Sequence, residues 1–192
     1  MIINNLEFRE KRLNRYGGEF DEQLLHKLFL ELSFEVHVKH DLKYSEILEA
    51  AEEYASRDHS NFDAFFMIVM SHGADGDVIY GVSGKHKVGV KEIMADFEQC
   101  PTLEGKPKVF IIQACRGPLG ERELPINNGY MADAVASDST LACTVSPPGA
   151  DFLLAFATMP RYVSWRNEQS GSLYIKVSMK VFTLSVLSPH LL

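Results

Sequence analysis

A cysteine attacks a carbonyl only as its thiolate, and at an unperturbed pKa of about 8.5 little of it is ionised at neutral pH. Such chemistry needs a neighbour that takes up the proton and later returns it to a leaving amine, and histidine is the usual one. In this sequence both residues directly follow strand-like apolar runs. Phe65-Phe66-Met67-Ile68-Val69-Met70 leads into Ser71-His72-Gly73, and Val109-Phe110-Ile111-Ile112 leads into Gln113-Ala114-Cys115-Arg116-Gly117. A third run, Phe152 to Ala157, is followed a few residues on by Ser164-Trp165-Arg166. In an open parallel sheet, ligands bind where strands end at their carboxyl edge. A histidine, a cysteine and an arginine are therefore expected to gather there. A lone strand-end histidine is most often bonded to backbone, but one crossover away from Cys115 the catalytic reading of His72 overtakes that one. Gly73 and Gly117 add to it, because glycine lets backbone approach a substrate and leaves amides to face a developing oxyanion.

The elements that must position these residues are legible as periodicity. Apolar runs at Met1-Ile2-Ile3, Phe34 to Val38, Phe65 to Met70, Val109 to Ile112 and Phe152 to Phe156 read as strands. The last three are nearly continuous, as parallel strands covered on both faces should be. Between them, Phe20, Leu24, Leu25, Leu28 and Leu32 fall three or four apart, as do Ile47, Leu48, Ala51 and Tyr54, which predicts two amphipathic helices. Gly81, Gly84 and Gly89 punctuate a small hairpin over 78–90, before a short helix near 91–97. Alternating strands and helices predict an α/β fold. Residues 118–150 break the pattern with Pro118, Gly120, Pro125, Asn127-Asn128-Gly129 and Pro147-Pro148-Gly149, and read as a linker.

Composition narrows the function. The 192 residues, 46% hydrophobic and 23% charged, suffice for one sizeable core. A formal charge of -7 without a basic run argues against a nucleic-acid partner. No signal-peptide pattern and no stretch of about 18 uncharged apolar residues is present, so neither secretion nor a membrane is expected, and a cytoplasmic location is. Three widely spaced cysteines, Cys100, Cys115 and Cys143, fit neither a disulfide framework nor paired zinc ligands. His37 and His40 have a metal-pair spacing, but no further ligand joins them, and a strand end and loop is the expectation.

Gln113-Ala114-Cys115-Arg116-Gly117 is the pentapeptide of the caspases, cysteine endopeptidases that cut after aspartate, in which the histidine lies about fifty residues upstream. Here the separation, 115 less 72, is 43. The chain resembles that family also at Ile2-Ile3-Asn4-Asn5, at Arg15-Tyr16-Gly17 with Asp21, and at Gly105-Lys106-Pro107-Lys108. The likeness continues through Ala150-Asp151-Phe152-Leu153 and Ser164-Trp165-Arg166-Asn167 to about Lys176. It implies a caspase-like three-layer sandwich, a mostly parallel central sheet with helices on both faces, its last strand expected to be missing. It implies a large-subunit region over 1–117, a linker with processing sites over 118–150 and a partial small-subunit region over 151–192.

The resemblance further implies His72, Cys115 and Gly73 as catalytic residues. Arg15, Gln113 and Arg166 would grip the substrate aspartate, since guanidinium groups bind a carboxylate through forked hydrogen bonds. Ser164 and the backbone at Arg166 would pair with an extended substrate, and Trp165 would wall the adjoining pocket. Asp133 and Asp138 compete as processing sites. No metal or organic cofactor is required. The implied partners are protein substrates carrying aspartate before the cut, other caspases or adaptors, and, in the family, a second copy. Family members continue through further helices and a last strand that forms the dimer interface, so this chain length is expected to make a poor enzyme. A truncated regulator that binds without cutting is the alternative. A related hydrolase cutting after basic residues, as metacaspases do, is disfavoured by Arg15, Gln113 and Arg166.

Overall fold

The computed structural model describes residues 1–118, 130–132 and 151–187. In chain order it contains β1 (Ile2–Asn4), α1 (Gly18–Glu31), β2 (Val38–His40), α2 (Tyr44–Ala55), β3 (Phe65–Met70), β4 (Gly73–Ala74), β5 (Val78–Tyr80) and β6 (Lys87–Gly89). There follow α3 (Val90–Ala95), β7 (Lys108–Gln113), β8 (Tyr130–Ala132), β9 (Phe152–Phe156), β10 (Trp165–Asn167), β11 (Gly171–Ser172) and α4 (Leu173–Leu187).

The continuous apolar runs become the middle of a five-stranded sheet, ordered β2-β1-β3-β7-β9. Every pairing in it is parallel. Because successive side chains of a strand point to opposite faces, each run feeds two cores. Met67, Val69, Phe110 and Ile112 pack with α2 and α3. Ile68, Met70, Val109 and Ile111 pack with Leu25, Leu28 and Phe29 of α1 and with Ile175 and Met179 of α4. Helix, sheet and helix thus form the three layers expected from the sequence. Phe110 is fully buried, its ring 5.3 Å from that of Phe97 and 5.9 Å from that of Phe152. Such aromatic packing fixes β7 between the helical layer and β9, and truncation at a site of this kind costs about 3–5 kcal/mol.

Two small antiparallel sheets stand beside the main one. One is the glycine-punctuated hairpin, β4-β5-β6, and the other is β11-β10-β8.

One expectation is corrected. The second strand was expected over Phe34 to Val38, whereas β2 covers Val38–His40, with Val38 opposite Ile2. The ring of Phe34 instead packs edge-on against Phe29 and Phe66, each at 5.2 Å, so its apolar character serves a helix–sheet cluster rather than a ladder. Within the stretch read as a linker, Tyr130–Ala132 pairs antiparallel with Trp165–Asn167. Asp133 and Asp138 lie outside the described residues.

Candidate active site

Strands β3 and β7 run in register to Met70 opposite Gln113, so the residues after each emerge side by side. The Ser71 N–H donates to the Gln113 carbonyl at 3.2 Å, continuing the pairing one step past the strand ends. Gly73 then passes so close to the nucleophile loop that a Cβ there would sit 2.3 Å from the Cys115 carbonyl oxygen and 2.9 Å from the Ala114 Cβ. No larger residue fits that approach, which brings the segment 72–73 against 114–115. Gly117 adopts φ +145, and a Cβ on it would come within 2.4 Å of Arg161. The turn after the cysteine therefore needs glycine for both conformation and space.

His72 is buried, and its Nε2 lies 2.7 Å from the Leu13 carbonyl oxygen. A carbonyl can only accept, so Nε2 carries the proton, and in the neutral ring Nδ1 is the basic atom. The ring is held edge-on by Phe8 at 4.8 Å, and the His72 carbonyl accepts the Tyr80 N–H at 2.9 Å. The histidine is therefore fixed in tautomer and orientation by three separate elements.

Cys115 is 1% exposed. Its Sγ accepts the backbone N–H of Ser164 at 3.0 Å and lies 3.7 Å from the Ser164 carbonyl oxygen. The Ser164 hydroxyl accepts from Gln113 Nε2 at 3.0 Å. The segment before β10 thus lies across the thiol, tied down further by Arg116 N–H to the Tyr162 carbonyl at 2.9 Å and Arg161 N–H to the Arg116 carbonyl at 2.7 Å.

The proposed aspartate-binding residues also come together. Arg15, Gln113, Ser164 and Arg166 are all buried. The Arg15 Nη1 donates to the Asn5 carbonyl at 3.0 Å, and Arg166 Nη1 donates to the Tyr16 carbonyl, beside Arg15 in the chain. Gln113 bridges to Ser164, next but one to Arg166. Arg15, on the loop before α1, is fully buried. Trp165 is half-buried on β10, its backbone opposite Ala132 of β8.

Two further residues shape the site. Asp21, buried on α1, accepts the Ser172 N–H at 2.7 Å through Oδ1 and the Ser172 hydroxyl at 2.5 Å through Oδ2, and so pins the start of α4. Asp77, in the turn between β4 and β5, accepts Arg116 Nε at 2.6 Å. Nothing in spacing or composition foretold that pair, because its members are 39 residues apart.

A cavity of about 400 Å³ lies at the other edge of the sheet, where strands begin, lined by Phe29, Phe34, Phe62, Phe66, Tyr54 and Arg57 among others. It holds no nucleophile and base, so its size does not make it the reaction site. Among the described residues no three potential ligands cluster to hold a metal, and no helix is long and apolar enough to cross a membrane. His40 Nε2 meets Glu22 at 2.8 Å and His37 Nε2 meets Glu35 at 2.8 Å, separate partners rather than a shared site.

A family model described as the caspase domain matches residues 1–190. Among similar proteins, the Caspase-3 of Bos taurus is 39% identical over 180 residues, covering 92% of this chain and 62% of its own length. The Caspase-3 of Mus musculus is 38% identical over 180 residues, covering 92% of this chain and 61% of its own. The chain thus spans about three fifths of the length of these curated relatives. With a cysteine and a histidine side by side at the carboxyl edge of a parallel sheet, and a family match along almost the whole sequence, this chain belongs to the caspase family.

Proposed function

We propose that the chain acts as a cysteine endopeptidase that cleaves peptide bonds after aspartate, in apoptotic or inflammatory signalling in the cytoplasm. The observation that carries this reading is the fixed imidazole. With Nε2 bound to the Leu13 carbonyl, His72 keeps Nδ1 as its proton acceptor, on the segment that Gly73 brings against Cys115.

In this reading His72 takes the thiol proton and the Cys115 sulfur attacks the carbonyl carbon, while the amides at Gly73 and Gly117 face the developing oxyanion. The carbon–nitrogen bond then breaks, and the amine leaves with the proton from His72. Water, deprotonated by His72, hydrolyses the thioester and restores the thiol. Arg15, Gln113 and Arg166 neutralise the substrate aspartate, Ser164 to Arg166 offer backbone to the extended peptide in place of Tyr130–Ala132, which pairs with β10 in this structure, and Trp165 walls the next pocket. Substrate reaches the sulfur once the segment at Ser164 lifts from it.

The reading carries with it a large-subunit region over 1–117, a linker over 118–150 and a small-subunit region over 151–192. Cleavage after Asp133 or Asp138 by an active caspase is expected, with N-terminal sequencing of the new fragment locating the cut. Partners are protein substrates and other caspases or adaptors.

One observation favours a second reading, a regulator that binds caspases or adaptors without cutting: Cys115 is 1% exposed beneath Ser164. A positional peptide library on the purified protein separates the two. Cleavage after aspartate that is abolished in Cys115→Ala supports the peptidase. No cleavage with an intact fold supports the regulator, and cuts after arginine or lysine refute the aspartate pocket.

A further inference from the structure

Arg116 follows the nucleophile, and its side chain is 10% exposed. Its Nε donates to Asp77 Oδ1 at 2.6 Å, its Nη1 to the Thr158 carbonyl at 3.3 Å, and its guanidinium lies 3.8 Å over the ring of Phe156. Asp77, 4% exposed by side chain, sits at φ +54, a conformation that costs an L-residue energy and persists where surroundings impose it. Its carbonyl accepts the Val90 N–H at 2.9 Å, at the start of α3. Asp77 is therefore anchored by its backbone to the helical layer and by its carboxylate to the nucleophile loop. It also stands on the hairpin whose first strand, β4, begins immediately after His72.

We propose that Asp77 is a positioning residue for the reacting pair: through Arg116 it fixes the loop carrying Cys115 against the hairpin carrying His72. The inference rests on the assignment of those two residues, and it concerns a carboxylate that touches neither substrate nor thiol. A bare charge pair in this place would be a poor stabiliser, because desolvation offsets much of its attraction. Its geometry is directional, however. Three contacts hold one guanidinium, and each comes from a different segment: the hairpin, β9 and the stretch after β9. Releasing the carboxylate removes the one contact that ties Arg116 to the hairpin, leaving it held only from the β9 side, so that the loop next to the sulfur loses its link to the segment carrying His72. Displacement of a reacting group by about 1 Å costs on the order of a hundred-fold in rate.

The test follows the thiol itself. Iodoacetamide alkylation of the purified chain is followed from pH 5 to 10, with peptide mapping so that Cys115 is read apart from Cys100 and Cys143. Wild type is compared with Asp77→Ala, the near-isosteric Asp77→Asn, Arg116→Met and the double variant Asp77→Asn with Arg116→Met. Asp77→Asn decides the matter should the alanine variant not fold. The expected result is a midpoint for Cys115 alkylation moved up towards the free-cysteine value of about 8.5 in each single variant. The double variant should move no further than either, as coupled residues do. On an aspartyl peptide, kcat falls about ten- to a hundred-fold with KM little changed. A purely structural contact would lower the melting temperature and leave the midpoint of the folded variants where it was. That outcome, or additive shifts in the double variant, overturns the proposal. If wild type cuts no aspartyl peptide yet the midpoint still depends on Asp77, the proposed function fails and this inference stands.

Discussion

The backbone N–H of Ser164 points at the sulfur of Cys115 from 3.0 Å, and the same serine's hydroxyl accepts from Gln113. One residue therefore covers the nucleophile and ties down a proposed substrate-binding side chain. Ser164→Ala removes the hydroxyl and leaves a buried amide donor without its acceptor. A loss of about 1–3 kcal/mol of stability is expected in chemical denaturation, together with faster alkylation of Cys115. Unchanged stability and unchanged labelling would show that Ser164 does not hold the site closed.

Gly73 admits no side chain, since a Cβ would lie 2.3 Å from the Cys115 carbonyl oxygen. Gly73→Ala must push the histidine segment away from the nucleophile loop. The expected outcome is a folded variant whose turnover of an aspartyl peptide drops on the order of a hundred-fold, mostly in kcat. Full activity in steady-state kinetics would remove Gly73 from the catalytic assignment.

Arg15, on the loop before α1, and Arg166, on β10, are buried cations, and Arg166 donates to the Tyr16 carbonyl next to Arg15. Replacing either by alanine should reduce kcat/KM for an aspartyl peptide by about ten- to a hundred-fold, the loss of a charge-assisted hydrogen bond. Lysine should restore little, because it lacks the fork. Discrimination between aspartyl and asparaginyl peptides is the sensitive readout, and its survival in both variants would contradict the pocket.

Asp21 accepts both the N–H and the hydroxyl of Ser172. Asp21→Ala strands two buried donors and should destabilise the fold by about 2–4 kcal/mol, with Asp21→Asn falling between it and wild type. Guanidinium unfolding measures this, and an Asp21→Ala variant as stable as wild type would show that α4 starts without that anchor.

Legibility in the sequence followed burial. Strands β3 and β7 are covered on both faces, so their apolar runs are continuous and easily read; the run of β9 reads the same way although that strand is at the sheet edge and its Leu153 is exposed. The residues after β3 and β7 could then be placed at one edge before any geometry was known. Phe34 misled because an apolar residue packing against a helix looks, in one dimension, like one packing in a strand. Tyr130–Ala132 pairs through backbone groups, which leave no pattern in side chains. His72 and Cys115 stood out by type and by place. The Leu13 carbonyl that sets the histidine tautomer is a backbone atom 59 positions away, and Asp77 reaches Arg116 across a similarly long gap. Contacts of this kind are made by folding and have no local signature.

The central claim, that Cys115 and His72 form an aspartate-directed nucleophilic pair, is tested most directly by covalent capture. The purified chain is incubated with a short peptide ending in an aspartyl chloromethyl ketone and, separately, with its asparaginyl counterpart, and adducts are mapped by mass spectrometry. A single adduct on Cys115, formed much faster from the aspartyl reagent and slowed in both His72→Ala and Arg166→Ala, is the predicted result. No adduct on Cys115, or equal labelling by the two reagents, would contradict it.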